Sequence, residues 1–147
     1  MPIYRNIKTQ PIVLASDHAG FKLKELIKKY LIKKRKKVLD LGTKNINSVD
    51  YSDFAHLLAK RVKNKHFGIL ICGSGTGMSM AANRHKNVRA ALCYNLKSTK
   101  LSRMHNNANV MTIGARLTKK NVALKCVNIF INTRFEGGRH LKRIKKI

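Results

Sequence analysis

The stretch FGILICGSGTG, residues 67–77, joins a run of apolar residues to a loop that contains three glycines. A short apolar run of this kind, bounded by turn residues, is typical of a strand that is buried on both faces. The run predicts a strand over residues 67–72, and the chain after the loop predicts a short helix over residues 77–84. A strand, a glycine-rich loop and a helix in that order form the repeating unit of a parallel α/β sheet.

The same alternation continues on both sides of this stretch. Apolar runs predict further strands over residues 12–15, 38–41, 88–93 and 110–113. Apolar residues at helical spacing predict a helix over residues 23–31 with its lysines on the outer face, and helices over residues 50–63, 96–106 and 122–131, the last apolar nearly all round. Five strands that alternate with helices predict an α/β fold, a three-layer Rossmann-like sandwich around a five-stranded parallel sheet.

The length and the overall composition favour one compact domain. A chain of 147 residues with 44% hydrophobic residues can bury one core. We expect residues 1–11 to be an N-terminal extension and residues 12–147 to be a single domain that ends in a basic C-terminal segment. The chain has no apolar run of the roughly 18–20 residues that a membrane span needs, and its N-terminus has no apolar signal core. These features predict a cytoplasmic protein without a membrane partner.

The net charge of +26 permits two interpretations. A basic surface can bind nucleic acid or a membrane, or it can reflect AT-rich codons that fill the surface with lysine and asparagine. Lysines outnumber arginines by 22 to 10, and aromatic residues make up only 6% of the chain. Since nucleic-acid readout favours arginine and aromatic side chains, we expect no specific nucleic-acid partner.

The three cysteines contain no C-x-x-C pair and are odd in number. A disulfide framework or a structural zinc site is therefore not expected, and the histidines show no ligand spacing that suggests a metal. Each cysteine is then either packing material or a reactive thiol. Cys93 and Cys126 are interpreted as packing residues.

Cys72 differs from them because the glycine loop follows it directly. Its amide groups and the start of the next helix provide positive potential that stabilises an anion and a thiolate. The loop is not a P-loop, and its spacing does not match G-x-G-x-x-G. The alternative is a structural cysteine at a strand end.

Other polar residues follow the predicted strands or end the predicted helices. Asp17 and His18 follow the first strand, where they can serve a ligand or cap the next helix. His105 and Asn106 end the fourth helix, either as acid–base groups or as a polar helix terminus. Arg116, and the pair Arg139 and Arg143 at helical spacing, suit phosphate binding or a solvated basic tail.

Taken in order, several blocks resemble the type B ribose-5-phosphate isomerase family, which includes galactose-6-phosphate isomerase subunits. The resemblance runs from about Ile12 to Ile147. The blocks that carry it are Asp17-His18-Ala19-Gly20-Phe21-Lys22-Leu23-Lys24, Gly42-Thr43, Val49-Asp50-Tyr51, Cys72-Gly73-Ser74-Gly75-Thr76-Gly77, Asn83, Arg103-Met104-His105-Asn106 and Glu136-Gly137-Gly138-Arg139-His140.

The resemblance implies an aldose–ketose isomerase that interconverts ribose 5-phosphate and ribulose 5-phosphate through an enediolate, without metal or organic cofactor. Cys72 would be the proton-transfer base, assisted by the hydroxyl of Ser74, while Asp17 and His105 would open the furanose ring. The family forms dimers or tetramers with shared active sites. The substrate-binding residues would be His18, Tyr51, Gly73, Gly75, Thr76, Gly77, Asn106, Arg116, Arg139 and Arg143.

Some positions depart from the family pattern. Ser74 replaces a common threonine, Ser52 replaces a common proline, and Met78 occupies the place where some members carry a glutamate base. The cysteine-based subfamily is therefore the one that fits. A hexose- or tetrose-phosphate isomerase of the same family remains the alternative activity.

Overall fold

The computed structural model describes residues 10–62 and 66–147, so most of the predicted N-terminal extension and position 63 of the predicted second helix lie outside the described residues. The chain alternates strands and helices throughout. The strands are β1 Ile12–Ser16, β2 Val38–Asp40, β3 Gly68–Cys72, β4 Ala90–Leu92 and β5 Val110–Gly114. The helices are α1 Phe21–Lys33, α2 Tyr51–Arg61, α3 Thr76–Ala82, α4 Leu96–Asn106, α5 Lys120–Asn132 and α6 Arg139–Ile144.

The five strands form one parallel sheet in the order β2-β1-β3-β5-β4. The predicted three-layer α/β sandwich is therefore confirmed. β3 lies at the centre and is buried along its whole length, as its uninterrupted apolar sequence predicts. The strand order reverses between β1 and β3, and ligands of such sheets bind at this switch point, beyond the carboxyl ends of the strands.

Alternate residues of each strand supply the two cores, because successive side chains of a strand point to opposite faces. Ile12 and Leu14 of β1 pack with α1 and α5 on one face. Val13 and Ala15 pack with α2 and α3 on the other. None of the helices described is long and apolar enough to cross a membrane.

Lys24 contradicts the prediction that the lysines of α1 lie on the outer face. Its side chain is only 1% exposed, and its Nζ lies 2.8 Å from Glu25 Oε1 and 2.8 Å from Asp40 Oδ2. Lys28 Nζ donates to the same Asp40 oxygen at 2.9 Å. The two carboxylates compensate the loss of hydration, which periodicity alone does not reveal.

Asp40 also fixes the chain after β2, since its Oδ1 accepts a hydrogen bond of 2.9 Å from the Gly42 N–H. Burial acts to raise the pKa of the Asp40 carboxyl, but the hydrogen bonds from Lys24, Gly42 and Lys28 outweigh burial and leave the pKa below its ordinary value. The ionised form of Asp40 is therefore stabilised in the folded state.

α5 is less uniformly apolar in the structure than its sequence suggests. Its buried residues face the sheet, and Val122, Leu124 and Ile131 pack partly buried against the same core. Lys125 and Asn128 are exposed. The helix is therefore amphipathic, and its apolar residues are largely covered within one chain.

Asp40→Asn should lower the free energy of unfolding by about 2 kcal/mol at pH 7, because Lys24 stays buried with one carboxylate fewer. A carboxyl whose pKa is lower in the folded than in the unfolded protein stabilises the fold at pH values above its unfolded pKa of about 3.9. This stabilisation is lost as the pH falls through the folded-state pKa. The difference between wild type and variant should therefore shrink below about pH 4. Urea unfolding of the wild type and the variant between pH 3 and pH 7 measures this difference in free energy of unfolding. Asp53→Asn, at an exposed carboxyl on α2, is the matched control, and a difference independent of pH would contradict the assignment.

Candidate active site

The carboxyl ends of β1 and β3 form a crevice that contains Asp17 and Cys72. The two strands are paired, with Ser16 beside Ile71, and the Asp17 N–H donates to the Ile71 carbonyl oxygen at 3.2 Å. Asp17 is 6% exposed and Cys72 is 4% exposed. The predicted juxtaposition of these two residues is therefore present in the structure.

Asp17 holds the turn that leads into α1. Its Oδ1 accepts a hydrogen bond of 2.9 Å from the Gly20 N–H. A Cβ atom added at Gly20 would lie 2.2 Å from the Ile71 carbonyl oxygen, so only glycine lets this turn approach β3 so closely. Asp17 thus has both the local backbone role and a place at the crevice.

The loop after β3 folds back over the Cys72 thiol. Cys72 Sγ accepts a hydrogen bond of 3.1 Å from the Gly75 N–H, and Ser74 Oγ accepts one of 3.3 Å from the Thr76 N–H. Gly75 has a φ of 79°, and a Cβ there would lie 2.9 Å from the Gly114 nitrogen. The glycine is required both by its left-handed conformation and by the closeness of β5.

Arg116 and Tyr51 approach this loop from opposite sides of β3. The Arg116 N–H donates to the Gly73 carbonyl oxygen at 3.0 Å, and a Cβ added at Gly73 would lie 3.1 Å from Arg116 Nη1. A Cβ added at Gly77 would lie 2.5 Å from Tyr51 Cζ. The guanidinium and the phenol ring therefore border the loop.

His18 is half-buried beside Asp17, and its ring is oriented by the backbone. Its Nδ1 accepts a hydrogen bond of 3.2 Å from the Val49 N–H. In the neutral ring the proton then lies on Nε2. This nitrogen remains a donor for an anionic group.

His105, Asn106, Arg139 and Arg143 are not in this crevice within one chain. α4 runs antiparallel to the strands, so its last residues lie at the opposite, amino-terminal edge of the sheet. The Arg103 guanidinium carbon lies 4.7 Å from the centroid of the Phe67 ring, directly before β3 begins. The residues that the resemblance assigns to one site therefore lie in two groups at opposite edges of the sheet.

Arg103 anchors the second group. It is 3% exposed, its Nε donates to the Thr133 carbonyl oxygen at 3.2 Å, and its Nη1 donates to the Ala108 carbonyl oxygen and to Asn107 Oδ1. Burial lowers the pKa of the Arg103 guanidinium to about 10, with a smaller effect of nearby Arg89. Arg103 therefore stays charged at neutral pH and ties the end of α4 to the segment after α5.

Glu136 and His140 are functional candidates that the sequence analysis did not single out. The imidazole rings of His105 and His140 stack with their centroids 4.2 Å apart and an interplanar angle of 13°. Glu136 Oε2 lies 3.2 Å from His140 Nε2 and 3.9 Å from His105 Nε2. No sequence pattern pairs either residue with His105, and Glu136 precedes α6, so helical spacing does not predict its contact with His140.

These three side chains offer ligand atoms within 4.8 Å of one another. The two rings are nearly parallel, however, and an imidazole coordinates an ion in the plane of its own ring. The lone pairs of stacked rings lie in separate planes and do not converge on one point. The arrangement is a stacked pair beside a carboxylate and lacks the geometry of a ready coordination shell.

A surface depression of about 530 Å³ lies elsewhere, between α2 and the end of α3. It contains His56 and His85, whose Nδ1 and Nε2 atoms are 2.7 Å apart. None of the predicted site residues lines it. The depression is therefore separate from the crevice that contains Asp17 and Cys72.

Comparison with known proteins identifies the family. Residues 12–147 match the family model described as Ribose/Galactose Isomerase. The chain belongs to the ribose/galactose isomerase family. Its relatives include the ribose-5-phosphate isomerase B of Escherichia coli K12, which is 38% identical over 138 residues, covering 92% of this chain and 93% of that protein.

Solved structures of this isomerase family share the fold. The ribose 5-phosphate isomerase B of Anaplasma phagocytophilum superposes with a TM-score of 0.91 at 44% identity, covering 96% of this chain and 98% of the other. The enzyme of Mycoplasma genitalium with bound ribulose-5-phosphate gives a TM-score of 0.90 at 45% identity, covering 92% of both chains. The resemblance predicted from the sequence blocks is confirmed.

The three thiols of this isomerase-family chain differ in their surroundings. Burial raises the pKa of Cys93 to about 11, against weaker opposing hydrogen bonds from Thr99 and Ser102. Burial also raises the pKa of Cys126. Cys72 alone of the three accepts an amide hydrogen bond in the crevice.

Iodoacetamide at pH 8 should therefore alkylate Cys72 first in the native protein, because alkylation requires an accessible thiolate. Cys93 and Cys126 should react only after unfolding in guanidinium chloride. Peptide mass mapping of a time course measures the three rates. Labelling of Cys93 or Cys126 in the folded protein as fast as Cys72 would contradict this interpretation.

Proposed function

We propose that this chain is an aldose–ketose isomerase that interconverts ribose 5-phosphate and ribulose 5-phosphate by cysteine-based proton transfer. The observation that carries the proposal is the Cys72 thiol, which lies at the mouth of the crevice under the loop of residues 73–77. The ribulose-5-phosphate bound to the Mycoplasma genitalium enzyme supports the choice of substrate.

We also propose that residues 12–147 form the catalytic domain and that residues 1–11 are an extension. The family model matches residues 12–147, and β1 begins at Ile12. The sheet and both helical layers described above lie within this range.

In the proposed reaction, the Cys72 thiolate removes a proton from C2 of the open-chain aldose. The electron pair moves into a C1–C2 double bond, and the carbonyl oxygen at C1 becomes negatively charged. The N–H groups of the loop after β3, with the Ser74 hydroxyl, stabilise this enediolate. The proton of the C2 hydroxyl group passes to the oxygen on C1, Cys72 returns its own proton to C1, and a carbonyl group remains at C2. This chemistry needs one positioned base and an oxyanion site, and no metal or organic cofactor enters it.

Met78 supports the assignment of the base to Cys72. Some family members are expected to carry a glutamate at this position, but the Met78 side chain is fully buried in the core. No other acid–base group is needed there, because the thiol lies at the strand end beside the loop.

The remaining candidate residues would either open the furanose ring or bind the substrate. Asp17 and His105, with Asn106, would move the proton that opens the furanose ring. His18 Nε2–H and the guanidinium groups of Arg116, Arg139 and Arg143 would bind the phosphate, and the Tyr51 ring would border the sugar. Binding energy from the phosphate positions C1 and C2 against the thiol.

The position of these residues favours an active site shared by two copies of the chain. Cys72 ends β3, whereas His105 and the α6 arginines lie near the start of the same strand, so one chain presents half of the site at each edge of its sheet. A two-fold axis brings unlike edges of two chains together twice and completes two sites. α5 gives no separate support for an interface between copies, because its apolar residues are largely covered within one chain.

The purified protein should interconvert ribose 5-phosphate and ribulose 5-phosphate, and Cys72→Ala should lower kcat at least about a hundredfold, the scale of a lost general base. Steady-state assays on pentose 5-phosphates and hexose 6-phosphates measure activity and preference together. Cys93→Ala, a buried thiol outside the crevice, is the matched control and should keep its turnover. Faster turnover of galactose 6-phosphate would favour the hexose alternative, and near-normal turnover by Cys72→Ala would exclude the cysteine as the base.

Mixing two inactive variants tests the shared site. Cys72→Ala and Arg139→Ala chains should each be inactive or weak alone, and after subunit exchange about a quarter of the sites should carry both intact residues. Activity should therefore rise toward about a quarter of the wild-type value. Exchange is verified with a tagged chain by native mass spectrometry. Exchange without any gain in activity, or a monomer in light scattering at micromolar concentration, would exclude a site between two copies.

A further inference from the structure

His105, His140 and Glu136 form a cluster, the histidine stack, whose parts differ in exposure. The His105 side chain is 38% exposed, the His140 side chain is 7% exposed, and the Glu136 side chain is 43% exposed. His140 Nε2 makes no well-directed hydrogen bond to any described residue, although Glu136 Oε2 lies 3.2 Å away. His105 is therefore the imidazole that can contact a ligand, and His140 is the buried one.

The backbone holds the stack in register with the end of α4. The Glu136 N–H donates to the Met104 carbonyl oxygen at 3.0 Å, one residue before His105. Gly137 and Gly138 then turn the chain with positive φ values of 69° and 54°. α6 begins at the next residue and places His140 against the His105 ring. The contact is thus built by two segments that a backbone hydrogen bond joins.

A role in packing alone does not account for the residue types. A buried apolar ring would fill the space behind His105 without the cost of burying an unpaired ring nitrogen. A carboxylate that faces both rings adds nothing to apolar packing, and this chain has only six acidic residues in all. The combination of a buried imidazole and a carboxylate suits the control of the orientation and the charge of a neighbouring imidazole.

We propose that His140 and Glu136 are positioning residues for His105 in the opening of the furanose ring, an inference that rests on the proposed isomerase function. Ring opening moves a proton from the C1 hydroxyl group to the ring oxygen. The C1–O bond to the ring breaks, its electron pair stays on the ring oxygen, and a carbonyl group forms at C1. The stacked His140 ring restricts the rotation of the His105 ring, and the Glu136 carboxylate supplies negative charge beside it while it holds a proton.

The proposal separates ring opening from proton transfer between carbon atoms. Ribulose 5-phosphate is an open-chain ketose, because its O5 carries the phosphate and cannot close a furanose ring. The enzyme can exchange a C1 proton of this ketose with solvent through the enediolate without opening any ring. Changes in the histidine stack should therefore affect the aldose reaction much more than this exchange.

The experiment compares two initial rates for the full-length enzyme and its variants. The first is isomerisation of ribose 5-phosphate, and the second is deuterium incorporation at C1 of ribulose 5-phosphate in D₂O, followed by NMR. Glu136→Gln and His140→Leu should lower the first rate about tenfold or more, a part of the 10²–10⁴ typical of general acid–base groups, and change the second less than about twofold. His140→Phe should retain more of the first rate than His140→Leu, because it keeps a stacked ring.

His85→Phe is the matched control. It removes another contact between two imidazoles, 2.7 Å between His56 Nδ1 and His85 Nε2, away from both halves of the site, and it should leave both rates unchanged. Thermal unfolding of each variant verifies the fold. If a His140 variant does not fold, Glu136→Gln, at a half-exposed side chain, decides the question alone.

Three outcomes would overturn the proposal. Parallel loss of both rates would indicate a general packing defect, and no change in either rate would show that His105 needs no positioning. Loss of wild-type activity in EDTA that Zn²⁺ restores would assign the cluster to a metal ion. A wild-type enzyme that neither isomerises ribose 5-phosphate nor exchanges the ketose proton would instead refute the proposed function itself.

Discussion

The parallel pairing of β3 with β1 and β5 decides at which edge of the sheet each candidate residue lies. Parallel strands end at the same edge of the sheet, so each connecting helix must run back in the opposite direction. Groups that follow strands therefore collect at one edge, as Asp17, Cys72 and Arg116 do. Groups that end helices collect at the other, as His105 does.

Close backbone approach then shapes the crevice at the carboxyl edge. Gly20 lets the turn before α1 contact the end of β3, and Gly75 lets the loop after β3 contact the end of β5. Without side chains at these points, the turn before α1 and the loop after β3 both lie close to the carboxyl end of β3. A Cβ at either place would clash with backbone atoms, which cannot move aside as a flexible side chain can.

The chain has only six acidic residues, and several of them have defined structural contacts. Asp40 and Glu25 compensate the buried Lys24 ammonium, Asp17 binds the Gly20 N–H, and Glu136 faces the two stacked imidazoles. The lysine surplus lies mostly on the surface. In this chain a carboxylate is therefore a better indicator of a structural contact than a lysine is.

The strand–helix order, the sheet class and the loop at Cys72 could be predicted from the sequence, because they follow from local periodicity, glycine content and the short distance between a strand and the loop after it. The sequence also determined the family, through blocks that keep their order. It did not reveal that Lys24 is buried, because periodicity counts every lysine as polar surface and takes no account of carboxylates such as Asp40, 16 residues away. The stacking of His140 on His105 and the approach of Glu136 to both rings are visible only in the folded chain. Such contacts join residues that are far apart in the chain, and they form only when the helices and the segments after them have packed across the sheet.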